Sequence, residues 1–322
     1  MNKLKIYGLI FCGLCLQPNV AVGWGFKAHK QLNYAAVFTL PPELFKFYKP
    51  HLNYITEKAV NADKRRYAFA DEACRHFLDT DHYEKKAPID TIPYSWNNAV
   101  LKYSEDTLLA YGIVTWHLQR IQLQLTKAMV EKNLYLILKL SADLGHYAAD
   151  LHVPLHSTEN YNGQLTAQEG IHSLWESRLY ELYESDYDFF TGRASYLPSV
   201  SETIWERFTQ SFAALDSVLY FEKIATQKFP NKYIIQSKGR SNVKGYNEKF
   251  CAYYHTLLNG MVERRARASV NLIGSLWYTA WVDAGQPNLS DLKEEPIQKE
   301  EADENWIQSL FLKSKILGRK EE

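Results

Sequence analysis

The sequence is short of several things, and each shortage excludes a class of protein. Cysteine is scarce: the 322 residues hold four, and two of those, Cys12 and Cys15, lie near the N-terminus. A disulfide-dense scaffold or a thiolate metal cluster needs more than the Cys74 and Cys251 that are left. Net charge is absent as well, with 37 basic residues balancing 37 acidic ones. A protein that coats nucleic acid carries a basic excess, because phosphate neutralisation supplies most of that affinity. An enzyme that turns over phosphate esters has no such requirement. No apolar run reaches the length that spans a bilayer. Alternating strand patterns are few, and there is no internal repeat or low-complexity linker.

What is present begins with an export signal. Lys3 and Lys5 precede a short apolar run from Tyr7 to Leu16, and Ala21-Val22-Gly23 sets small residues where a signal peptidase reads. Residues 1–23 are therefore expected to be a signal peptide cut before Trp24, with an uncleaved anchor as the alternative. Neither Cys12 nor Cys15 sits in a lipoprotein acceptor motif. The expected product is an exported protein, periplasmic or secreted, with 35 basic and 37 acidic residues. An oxidising compartment allows Cys74 and Cys251 to pair; the sequence leaves that open.

The full chain is 46% hydrophobic, enough for a full core. Apolar residues recur at helical spacing, as in Leu108, Leu109, Ile113, Trp116 and Ile121, and in Leu134, Leu138, Leu140 and Leu144. The stretches 115–144, 171–191 and 201–229 are free of glycine and proline and are expected to be helical. Turn residues fall at Pro41-Pro42, Pro88 to Pro93, Asn160 to Gly163 and Gly285 to Pro287. The pattern predicts one all-α, multi-helix domain over 24–289. A charged tail, 290–322, follows, with a short amphipathic helix expected over Trp306–Leu317 and no chemistry assigned to it.

Chemistry concentrates in one region. Four of the 10 histidines fall between His146 and His172. His146 and Asp150 stand four apart, which on a helix sets both on one face a turn apart, and His172 and Glu176 repeat that spacing. Between them Pro154 should end the first helix and present His156. Apolar neighbours such as Leu144, Ala148, Leu151 and Leu174 make uncompensated burial of these groups costly, so a metal is a natural partner. His152 points off the ligand face and is expected to pack or to support a ligand.

The run His146-x-x-x-Asp150-x-x-x-Pro154-Leu155-His156, followed by His172-x-x-x-Glu176, resembles the signature of the superfamily that joins bacterial zinc-dependent phospholipase C with single-strand-specific nucleases. Trp24-Gly25 followed by His29 resembles that family's mature N-terminus, and Asp63 and His76 fill its remaining ligand positions in order. The resemblance spans Trp24 to Glu176 and implies a trinuclear zinc phosphodiesterase with three zincs per chain. It implies that Asp63, His76, His146 and Asp150 hold one zinc and His156, His172 and Glu176 a second. Backbone atoms of Trp24, His29 and the other oxygen of Asp150 would hold the third. A water shared by two zincs would attack phosphorus. Asp63 would orient or deprotonate it, and Arg66 would contact a non-bridging oxygen, unless Arg66 is simply a solvated member of its basic run.

The substrate branch is read from smaller signs. The Trp24–His29 spacing and Arg66 three residues after Asp63 resemble the nucleases. Glu176 and the short His156–His172 interval resemble the phospholipases. Phe77 and Asp79 could stack on and hydrogen-bond a base, although a similar run occurs in both branches. Lys64 replaces an aromatic that would help cage choline. Single-stranded nucleic acid is favoured, with phospholipid head groups as the alternative and a non-catalytic zinc-binding helical protein as the third reading. A monomer without stable membrane insertion or a protein partner is expected.

Overall fold

The computed structural model describes residues 25–238 and 241–292. The expected signal peptide, Trp24 and the tail helix at Trp306–Leu317 lie outside the described residues. Among those described, no helix is long and apolar enough to cross a membrane.

The chain opens with α1 (Phe26–Val37), α2 (Pro42–Tyr48), α3 (Leu52–Lys58) and α4 (Asn61–Arg65). Pro42 takes the first position of α2, where its missing N–H costs nothing. After a loop come α5 (Trp96–Tyr103), α6 (Glu105–Tyr111), α7 (Val114–Val130) and α8 (Leu134–Asp150). Next are α9 (Ile171–Ser173), a π-helical turn (Leu174–Arg178) and α10 (Leu179–Tyr183), then α11 (Val200–Lys228). A hairpin of β1 (Tyr233–Lys238) and β2 (Ser241–Tyr246) leads to α12 (Glu248–Leu257) and α13 (Met261–Asp283).

The fold is mostly helical, as expected, although the stretch 171–191 leaves helix after Asp186, and two further details differ from the sequence reading. The stretch 115–144 is two helices. Lys132 turns left-handed at φ 52° and closes α7, and the Asn133 side chain accepts the Leu136 N–H at 3.0 Å to cap α8. The second difference is the antiparallel hairpin, with Tyr233 opposite Tyr246. Its first strand is rich in aromatic and β-branched residues without alternating, so periodicity does not mark it.

The core is one cluster running from Ala28 to Leu289. Helix α8 lies at its centre: every residue from Ser141 to Asp150 is buried, as a helix packed on all sides must be. Neighbouring helices hold it by polar clamps as well as packing. The Trp277 indole of α13 donates to Ser141 O at 3.1 Å, and Tyr48 of α2 stacks on that indole with centroids 5.0 Å apart. Asn33 of α1 donates to Ala142 O at 3.1 Å. Cys74 and Cys251 are both buried free thiols, and burial pushes each up to about 11.

Helix α1 approaches α8 closely because Gly145 has no side chain. A Cβ there would collide with Asn33 Oδ1. Gly145→Ala must displace the Asn33 side chain and break its clamp, and overpacking of this kind costs about 1–3 kcal/mol. Urea unfolding should show that loss, and an unchanged midpoint would contradict the close approach.

Candidate metal centre

Helix α8 ends at the site. His146 and Asp150 stand one turn apart on its last stretch, with His146 Nε2 3.2 Å from Asp150 Oδ2. His76 Nδ1 lies 2.9 Å from the same oxygen and 3.1 Å from His146 Nε2. Asp63 Oδ1, from α4, is 3.8 Å from His76 Nδ1 and 3.6 Å from His146 Nε2. A cation held about 2.0–2.1 Å from four donors at tetrahedral angles sets donor–donor edges of roughly 3.3 Å. The five edges span that value, so the four side chains outline a site for one ion.

Two further groups adjoin it. His29 Nε2 lies 3.4 Å from Asp150 Oδ1, the oxygen not facing His76, and His29 gathers with His146 and Asp150. His156, His172 and Glu176 form the third group, with Glu176 Oε2 3.1 Å from His172 Nε2 and 3.5 Å from His156 Nε2. His172 sits in α9 and Glu176 inside the π-helical turn that follows, and the pair still meets. None of the eight side chains in these groups is more than 1% exposed.

Local structure aims the nitrogens. Since a carbonyl only accepts, His146 Nδ1–H donates to Ala59 O at 2.8 Å and leaves Nε2 to face the carboxylates. His156 Nδ1–H likewise donates to His76 O at 2.9 Å, and Leu78 N–H returns a bond to His156 O at 3.0 Å. Segment 74–79 is pinned from its other side by Ile113 N–H to Cys74 O at 2.7 Å and Asp79 N–H to Tyr111 O at 2.7 Å. Gly112, at φ 90°, is what admits Phe77 O so close.

The inner atoms are unsatisfied. Both nitrogens of His29, both oxygens of Asp63, Asp150 Oδ1 and His156 Nε2 are buried without a hydrogen bond. Leaving such groups bare costs about 1–3 kcal/mol each, and charged ones more. The donor set, all imidazole and carboxylate, fits metal ions as partners for these atoms.

Electrostatics divides the histidines. Burial and the neighbouring His146 lower His29, which stacks on His146 with centroids 3.9 Å apart. Burial opposes charge on His146 too, yet Asp150 and Asp63 outweigh it and push the ring up to about 9. Burial would raise Asp150, but His146 and His156 hold it well below the usual carboxylate range.

The other expected site residues are placed as follows. Arg66 is 1% exposed, and its N–H donates to Asp63 O at 3.2 Å, so it shares the Asp63 turn and is not the solvated member of a basic run. Phe77 and Asp79 are 5% and 6% exposed, so a base could stack on Phe77 only if the ring left the cover of Gly112. His152 stays out of the metal groups; it is buried, and Nδ1–H donates to Ala148 O at 2.7 Å. Trp24 lies outside the described residues, while Gly25 rests against Ser177, next to Glu176.

Sequence reasoning missed a second ring of charge behind His76. Glu72, fully buried, meets Arg75 Nη1 at 2.7 Å and Arg65 Nη2 at 3.3 Å, and Tyr147 OH donates to it. Arg65 Nη1 also reaches Asp143 Oδ1 at 2.9 Å. The missed signal was the Glu72–His76 spacing, the same four-residue step that marked the two ligand pairs.

No protein-family model matches the chain, and no curated protein matches it.

Because His146 is raised from 6.5 to about 9, the metal-free chain carries a proton there at pH 7. A dication must expel it, so metal affinity rises with pH up to about 9 as far as this group is concerned. Calorimetric titration at pH 7 in buffers of different ionisation enthalpy should report net proton release. Buffer-independent heats would contradict the shared His146–Asp150 site.

Proposed function

We propose that this chain is a zinc-dependent phosphodiesterase that acts on single-stranded nucleic acid in preference to phospholipid head groups. The observation that carries the reading is the set of three buried imidazole–carboxylate groups, two of which share His146. Structural zinc sites usually close with four protein ligands, whereas His156, His172 and Glu176 supply three and leave a position for substrate. Bound zinc supplies charge against the added negative charge of a phosphodiester transition state and ionises water near neutral pH.

The chain's own residues divide the work. Asp63, His76, His146 and Asp150 would hold one ion, and His156, His172 and Glu176 a second. The backbone of Trp24 with His29 and Asp150 would hold the third. Asp63, whose oxygens accept no hydrogen bond, takes the proton of the attacking water. Arg66, on the same turn, donates to a non-bridging oxygen. Its placement three residues after Asp63, which resembles the nuclease branch, supports the nucleic-acid preference over the phospholipid one.

Protein purified without chelator should contain close to three zincs, matching the three groups. Chelation should abolish hydrolysis of single-stranded nucleic acid and zinc should restore it. Faster hydrolysis of phosphatidylcholine vesicles would reverse the substrate assignment, and zinc-replete protein inert on both would refute catalysis.

The role given to Trp24 has its own test. A free α-amine is required, and one added residue replaces it with a secondary amide, a far poorer donor. Protein released with Trp24 first should be compared with protein carrying an added Gly-Ser. The extended form should lose about one zinc and most of its turnover while staying folded. Equal zinc and equal rates would remove Trp24 from the ligand set.

A further inference from the structure

We infer that Glu72 is a positioning residue that fixes which nitrogen of His76 faces the metal site. The inference rests on the zinc reading above. His146 and His156 both spend Nδ1–H on backbone carbonyls and turn Nε2 inward, at 2.8 Å from Ala59 O and 2.9 Å from His76 O respectively. His76 is reversed. Its Nδ1 faces Asp150 Oδ2 at 2.9 Å and His146 Nε2 at 3.1 Å, while its Nε2 points away, 3.7 Å from Glu72 Oε1. That outer nitrogen makes no hydrogen bond, and the Glu72 carboxylate beside it supplies the negative charge that favours a proton there.

The need for selection is specific to this ring. Asp150 draws the His76 proton to Nδ1, the nitrogen that must be bare to bind a cation. Glu72 draws it to Nε2 instead. A carboxylate behind a ligating imidazole fixes ring orientation and raises basicity, and its loss costs roughly tenfold to 100-fold in metal affinity. The surroundings keep Glu72 from becoming a ligand itself. Arg75 engages Oε2 at 2.7 Å, and Arg65 and Tyr147 engage Oε1. Both oxygens are thereby committed, and Glu72 stands outside all three metal groups.

Zinc-loaded mature chain labelled with 15N-histidine tests this without a substitution. Long-range proton–nitrogen correlation should show His76 carrying its proton on Nε2, and His146 and His156 carrying theirs on Nδ1. A His76 proton on Nδ1 overturns the inference. Glu72→Gln, which keeps the shape and removes the charge, should weaken zinc binding at one site by roughly tenfold to 100-fold in chelator competition. Tyr147→Phe, which removes a Glu72 partner but not the charge, should leave zinc affinity as it is. Equal loss in both variants would mean a packing role and also overturn the inference. Wild-type protein that binds no zinc at all would instead bring down the functional proposal and this inference with it.

Discussion

Asp150 is the constraint on which the structure turns. It is a fully buried carboxylate at the C-terminal end of α8, where the helix dipole is itself negative and repels it. Burial alone would drive such a group to protonate. It is instead encircled by imidazoles, with His76 and His146 on Oδ2 and His29 on Oδ1. Each of those rings comes from a different part of the chain. Satisfying one carboxylate therefore dictates where α1, segment 74–79 and α8 must meet.

Around Asp150 the polar atoms fall into two layers with opposite character. In the outer layer His146 and His156 donate to Ala59 O and His76 O, while the Glu72 carboxylate lies 3.7 Å behind His76 Nε2. In the inner layer Asp63, His29 and Asp150 Oδ1 lack hydrogen bonds. Partly satisfied buried networks are costly, since the low dielectric that strengthens a made bond also penalises an unmade one. An inner layer of unsatisfied imidazole and carboxylate atoms is the arrangement in which metal ions could serve as partners. A purely structural polar core would have closed both layers.

What could be read from sequence follows from how local each signal is. His146–Asp150 and His172–Glu176 are pairs within one helical turn, so spacing alone exposed them, and both pairs meet as expected. Asp63, His76 and His29 are separated from α8 by long stretches of chain. Only resemblance connected them to it, and the structure brings all of them together. Glu72 went unnoticed because its meaning depends on Arg65 and Arg75 folding around it. The break at Lys132 and the Tyr233–Tyr246 hairpin were missed for a related reason. Each is set by a cap or a cross-strand partner, and apolar periodicity records neither.

The C-terminal half carried no motif, yet it determines the third metal group. Residues 158–170 lead directly into His172, and their anchors are distant in sequence. Gln168 donates to Glu222 Oε2 of α11 at 2.5 Å and to Leu219 O at 2.8 Å. Lys232, at the root of the hairpin, meets the other oxygen of Glu222 at 3.0 Å. From the hairpin itself Tyr233 OH donates to Glu169 O at 3.0 Å and Tyr246 OH to Gly170 O at 2.6 Å. A segment with so many turn residues would otherwise move, because few of its own side chains are buried. Its order is imported from α11 and the hairpin. His172 and Glu176 are thus held in place by residues outside the three His/Asp/Glu groups, with α11 and the hairpin as the scaffold that keeps their segment in place.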